Sequence, residues 1–237
     1  MQIATKLKDY INKAGIVDFS TLKSLNLTTI NSLKSMLSQL VKKGELLRAK
    51  GYYISRNFDI FRIAPMIEQG YVSGTSALYH HHIVSEYPFT MFIASSKRRS
   101  YSLGNYEIVS FRTTDYRFVD SSTRIALPEK AIYDAFKHHY IMSYPQLAQA
   151  VYLGRKAINW DNFMKLISSE NSAFLQRTGY VMDIIPAKSK QMKDIVSYCK
   201  SRVKSKIYLQ GRKKGKYMND WKIIDNIGKE VLLSWWK

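Results

Sequence analysis

The stretch from Asp18 to Ser55, DFSTLKSLNLTTINSLKSMLSQLVKKGELLRAKGYYIS, constrains the chain more than any other. Within it Ile30, Leu33, Leu37, Leu40 and Val41 recur at the i, i+3, i+7 spacing of one helical face. The opposite face carries Asn31, Ser32, Lys34, Ser35, Ser38, Gln39 and Lys42. Thr28 is placed to cap this helix, its hydroxyl accepting from the free amides of the first turn, and Gly44 is placed to end it. Two strand-like pieces follow, Glu45 to Arg48 and Tyr52 to Ser55, joined at Lys50-Gly51. Upstream, residues 2–14 read as a helix with Ile3, Leu7, Tyr10 and Ile11 on one side, stopped by Gly15. A short helix, Thr21 to Leu25, is expected next, with Ser20 as its cap and Phe19 as a hydrophobic staple. Three helices and a basic hairpin in the first 58 residues give the profile of a winged helix-turn-helix.

In such a module the third helix enters the major groove, where short hydroxyl and amide side chains can bond base edges. Thr28, Thr29, Asn31, Ser32, Lys34 and Ser35, on the N-terminal half of that helix, are therefore the expected contacts. Arg48, Lys50 and Tyr52 on the wing are expected to reach phosphate or the minor groove.

Charge points the same way. The net charge of +19 attracts polyanions, of which nucleic acid is the commonest. It is unevenly spread: residues 1–58 carry +7, residues 59–185 only +2, and residues 186–237 carry +10. The second basic end combines a helix expected from Lys188 to Lys204 with a loop, QGRKKGKYMNDW. Lys188, Lys190, Arg202, Lys204, Arg212, Lys213, Lys214 and Lys216 form the expected polyanion surface, for phosphates, RNA or an acidic protein.

The stretch between these ends reads as a globular mixture. Pro65 is placed to open a short helix, and GYVSGTSALYHH reads as a strand end, a turn and a helix from near Thr75. Strands are expected at Thr90 to Ala94, Arg99 to Leu103, Tyr106 to Phe111, Tyr116 to Val119 and Thr123 to Ala126. Helices are expected from Pro128, from Tyr144 to Leu153 and from Asp161 to Ser168. The fold class is thus α+β, with a winged helix-turn-helix over residues 1–58 and a larger mixed α/β domain over residues 59–237.

Several functions are disfavoured. No apolar run approaches the roughly 20 residues that span a bilayer, so no membrane partner is expected. One cysteine, Cys199, rules out an internal disulfide framework and fits a reducing cytoplasm. Lys200 and Arg202 beside it are expected to lower its pKa. The five histidines fall in two runs, His80-His81-His82 and His138-His139, and helical neighbours point about 100° apart, which suits packing better than shared metal ligation. YVSGTSAL lacks the G-x-S-x-G spacing of an activated serine. Glu129 is expected at its own helix N-terminus and Asp134 beside a Lys or Arg. No catalytic residue, metal or cofactor is expected, and the chain does not read as an enzyme.

Four boxes in order resemble the AbiEi family. They are the winged helix, YVSGTSALYHHHIVSEYP, IALPEKAIYD from Ile125 to Asp134, and a late segment with Trp221 and Asn226. In the first sequence box Gly70, Tyr71, Val72, Ser73, Thr75, Ser76, Ala77, Leu78, Tyr79 and His80-His81 match the family pattern, although members tend to have Gly where this chain has His82-Ile83. Lys130 stands where the family more often has Arg. The resemblance implies an antitoxin and autoregulator of a type IV, abortive-infection toxin–antitoxin operon. Its winged helix would bind inverted repeats in operator DNA. Its larger domain would neutralise a nucleotidyltransferase-like toxin, by contact or through a shared target such as RNA, which makes the second basic end the toxin-related surface. The alternatives from the residues themselves are a stand-alone repressor with a ligand-sensing or dimerisation domain, a nucleic-acid-processing enzyme, and a winged helix that holds only a protein.

Overall fold

The computed structural model describes residues 2–211 and 214–236. Helices and strands are mixed along the chain in an α+β architecture, and the chain folds into two compact units. The first runs to Val72 and adds Phe89–Thr114 and Ser121–Arg124; the second holds Ser73–Pro88, Asp115–Asp120 and the chain from Ile125 onward. The units thus depart from a single cut after residue 58: fourteen further residues and two later segments join the N-terminal head, residues 1–58, in the first unit.

The head begins with α1 (Gln2–Ala14), β1 (Ile16–Asp18), α2 (Phe19–Ser24), α3 (Ile30–Lys42), β2 (Leu46–Ala49) and β3 (Tyr52–Ser55). Its three strands lie antiparallel in the order β1-β3-β2. Leu7, Ile11, Val17, Leu22, Leu33, Leu37, Leu40, Leu46 and Tyr53 form its core. β1 was not visible in the sequence, because three residues are too few to show an alternation. The caps also shift. Asp18, not Ser20, caps α2, accepting from the Thr21 amide at 2.9 Å and from the Thr21 hydroxyl at 2.7 Å. Phe19 is then the first helical residue rather than a staple. Thr29, not Thr28, caps α3, and Ile30 at the helix start is 44 % exposed rather than in the core stripe.

The chain continues into α4 (Ile60–Glu68) and β4 (Tyr71–Val72), enters the second unit for α5 (Gly74–His80), and returns for β5 (Thr90–Ser95), β6 (Arg99–Leu103) and β7 (Tyr106–Arg112). In the first unit these strands run in the order β6-β7-β5-β4, with β5 and β7 parallel. Pro65 does not open α4: Asp59 caps it, and Pro65 sits in its last turns.

The rest of the second unit is β8 (Val119–Asp120), β9 (Ile125–Ala126), α6 (Pro128–Lys137), α7 (Tyr144–Gly154), α8 (Trp160–Ile167), α9 (Ser172–Ile184), α10 (Lys190–Lys200), β10 (Ile207–Tyr208), β11 (Lys216–Met218), β12 (Ile223–Asp225) and α11 (Lys229–Leu232). The strand expected over Tyr116 to Val119 shrinks to β8, because Asp115 and Arg117 bond each other in a loop. α9 had no sequence signature. Phe174, Leu175, Gln176, Thr178, Gly179, Tyr180, Val181 and Met182 are all buried, so no polar face exists to set a period. β12 is the central strand of the last sheet, parallel to β10 and antiparallel to β11.

The two motif boxes meet inside this unit as a polar cluster. Ser73 Oγ donates to Asp134 at 2.7 Å, and Lys130 lies 3.0 Å from Asp134 and 3.6 Å from Asp115. Burial opposes ionisation of Asp115, but bonds from Arg117 and the charge of Lys130 outweigh it and hold its carboxyl near 2. Glu129 sits in the first turn of α6, as expected, and also serves the start of α8, accepting from the Asn159 amide at 3.3 Å and the Asn162 side chain at 3.1 Å.

Candidate nucleic-acid interface

α3 is fixed from beneath by Leu33, Leu37 and Leu40. Its other face is left to solvent: Thr29, Asn31, Lys34 and Ser35 are exposed, while Thr28 and Ser32 are half-buried. Thr29 and Ser32 also bond each other at 3.0 Å in the cap, so their hydroxyls are oriented by the helix start.

Beside this face lies a groove of about 410 Å³. Lys34, Ser38, Val41 and Lys42 of α3 form one wall, Arg48, Gly51 and Tyr53 of the hairpin form the other, and Phe19 closes one part. The two expected cations that face it are laid against aromatic rings: the Lys34 ammonium is 6.0 Å from the Phe19 centroid, and the Arg48 guanidinium is 5.7 Å from that of Tyr53. Such contacts hold a cation in place without neutralising it. The groove therefore offers three positive charges between a polar helix and a hairpin, a shape suited to an anionic backbone. Ser38 and Lys42 were not among the expected contacts, although they continue the Lys34 row at i+4 and i+8. Phe19 and Tyr53 carried no sequence signal for this role.

The two remaining wing residues stand elsewhere. Tyr52 is half-buried in the central strand, opposite Asp18 on one side and Ala49 on the other. The Lys50 ammonium pairs with the carboxylate of Glu68, and its side chain is only 24 % exposed. It also lies 4.3 Å from the centroid of Tyr101 on β6.

At the second basic end, Arg212 and Lys213 lie outside the described residues. Lys190, Arg202, Lys204, Lys214 and Lys216 are exposed. Lys188 is not available as expected: its ammonium donates to the carbonyls of Asp183 and Ile185 and so caps the end of α9. Cations again lie on rings, with Arg202 at 3.7 Å from Tyr198 and Lys206 at 5.4 Å from Tyr217.

His81 Nε2 bonds the Ala126 carbonyl at 2.8 Å, and His138 ends α6. Among the described residues, no group of three or more His, Cys, Asp or Glu is placed to hold a metal ion, and no helix is long and apolar enough to cross a membrane. Cys199 overturns its expectation: burial pushes its thiol up to about 12 and overrides the opposing pull of Arg202.

No described protein family matches this sequence, and no curated protein matches it. Among solved structures, the chain is similar to the crystal structure of the RV2827C protein from Mycobacterium tuberculosis, with a TM-score of 0.71. The likeness covers 99 % of this chain and 94 % of that one at 12 % identity, so what the two share is the fold.

Proposed function

We propose that this protein is a DNA-binding regulator and antitoxin of the AbiEi type, and that α1 to β3 act as its winged helix-turn-helix. The observation that carries the DNA-binding part is the groove between α3 and the hairpin, which sets Lys34, Lys42 and Arg48 beside the exposed polar start of α3. In this reading α3 enters the major groove with Thr29, Asn31 and Ser35 facing base edges. Lys34, Lys42 and Arg48 neutralise phosphates along the groove beside it. The order of elements and the strand order β1-β3-β2 support the winged-helix reading. The antitoxin part rests on the sequence boxes. The protein's activity is binding, and operator occupancy controls its own synthesis.

The test is binding of a labelled duplex from the region upstream of the protein's own gene, with unlabelled competitor of scrambled sequence. The expected result is specific binding whose logarithm falls linearly with the logarithm of salt concentration. Binding that is absent even at low salt would refute the DNA-binding part. The antitoxin part is tested separately, by co-expression with any nucleotidyltransferase-like protein encoded beside it; unrelieved growth arrest would refute it.

A further inference from the structure

We propose that Lys50 is a positioning residue: it latches the tip of the β2–β3 hairpin onto the end of α4 through Glu68 and onto β6 through Tyr101, and it makes no nucleic-acid contact of its own. What the hairpin is positioned for rests on the DNA-binding reading above.

The turn itself is the first observation. Lys50 and Gly51 are its two central residues, with φ of +48° and +84°. Two successive positive φ values define the tight turn that suits the twist of a two-residue hairpin, and such turns favour Asn, Asp or Gly at the first position. A lysine there is held against its local preference, which points to a use for its side chain.

Glu68 supplies that use. It ends α4 with its side chain 2 % exposed. A buried carboxylate is strongly unfavourable unless a cation and hydrogen-bond donors meet it, and Lys50 is the cation that does. The Tyr101 ring covers the ammonium from a further side at 4.3 Å, where its electron-rich face favours a positive charge. The hairpin is also seated a second time. At Gly104, in the turn between β6 and β7, an added Cβ would lie 3.4 Å from Leu47 of β2 and 3.5 Å from Phe58. Leu47 and Lys50 therefore fix the hairpin to the β6–β7 pair at its strand and at its tip.

Arg48 makes the contrast. It leans on Tyr53 of its own hairpin and lines the groove. Two cations two residues apart thus divide the work: Arg48 faces the groove, and Lys50 sets where Arg48 stands. Holding a binding loop in place before the ligand arrives removes an ordering cost from association.

The decisive experiment uses Lys50→Asn in the full chain. Asparagine keeps the left-handed turn but is too short to reach Glu68. Arg48→Ala serves as the phosphate-contact control. Duplex affinity is measured across a potassium chloride series, and amide hydrogen exchange is followed over residues 46–55. The expected result for Lys50→Asn is about tenfold weaker binding with an unchanged salt slope and faster exchange in the hairpin. Arg48→Ala is expected to flatten the slope by about 0.9 with exchange unchanged. The double change Lys50→Asn with Glu68→Gln, which leaves no buried charge unpaired, is expected to bind no worse than Lys50→Asn alone. A slope flattened by about 0.9 in Lys50→Asn with unaltered exchange would make Lys50 a phosphate contact and overturn the proposal. If the unaltered protein binds no duplex at all, it is the DNA-binding reading that fails; the latch then stands or falls on exchange alone, and unchanged exchange in Lys50→Asn overturns it.

Discussion

At the scale of single residues, Lys34 and Arg48 keep their charges at the surface of the groove, whereas Lys50 gives its charge to the buried carboxylate of Glu68. That partner lies 18 residues away, beyond any spacing rule. Replacing Lys34 or Arg48 with Ala is expected to lower the slope of binding against salt by about 0.9 for each, as read in a salt series of duplex binding. Cys199 was misread because its charged neighbours were visible and its burial was not. With its thiol near 12, it is expected to resist a disulfide-exchange reagent at pH 8 in the folded protein and to react promptly after unfolding in guanidinium. Asp115 gives a pH dependence of definite sign. Its folded value of about 2 lies below the ordinary 3.8, so its contribution to stability is complete above about pH 4 and is lost as the pH falls through 2. Asp115→Asn should therefore flatten the acid limb of a stability–pH curve between those values.

At the scale of elements, legibility followed the number of faces an element exposes. α1 has one buried and one solvated side and α6 has a strong start signal, and the sequence placed both well. β1 and β8 are too short to show a period. α9 is buried nearly all round and shows none. Its packing makes a sharp prediction at Gly179, where an added Cβ would meet the Trp221 ring at 2.4 Å and the Cys199 Cβ at 2.6 Å. Gly179→Ala is expected to destabilise the protein by about 1–3 kcal/mol, the usual penalty of overpacking, although Ala is the better helix former. Urea unfolding with an unchanged m-value would measure it. The candidate interface was half legible for the same reason. The solvated face of α3 is periodic, whereas the aromatic residues that hold its cations come from other elements.

At the scale of the whole molecule, the charge divides differently from its linear profile. The first unit holds sixteen Lys and Arg against six Asp and Glu, and the second holds twenty-one against twelve. The near-neutral middle of the sequence is real only in one dimension, since Lys97, Arg98, Arg99 and Arg112 belong to the unit that contains the head. A boundary at residue 58 follows composition, but the backbone passes between the units five times. A chain cut after Val72 therefore loses β5, β6 and β7. It is expected to bind a hydrophobic dye or to precipitate, because α4 loses β5, the strand it packs against. A soluble, dye-negative fragment would show instead that α4 packs stably on the head alone.

The Lys50-Gly51 turn carries a warning for protein engineering. A consensus or design procedure that scores local geometry would replace this lysine with asparagine, and the isolated hairpin would fold better for it. In the whole protein the same change strands an acid in the interior. Here local and global preferences conflict, and natural sequences keep such conflicts few. Attempts to retarget the head by transplanting only its first 58 residues would inherit the disfavoured turn without the glutamate that justifies it.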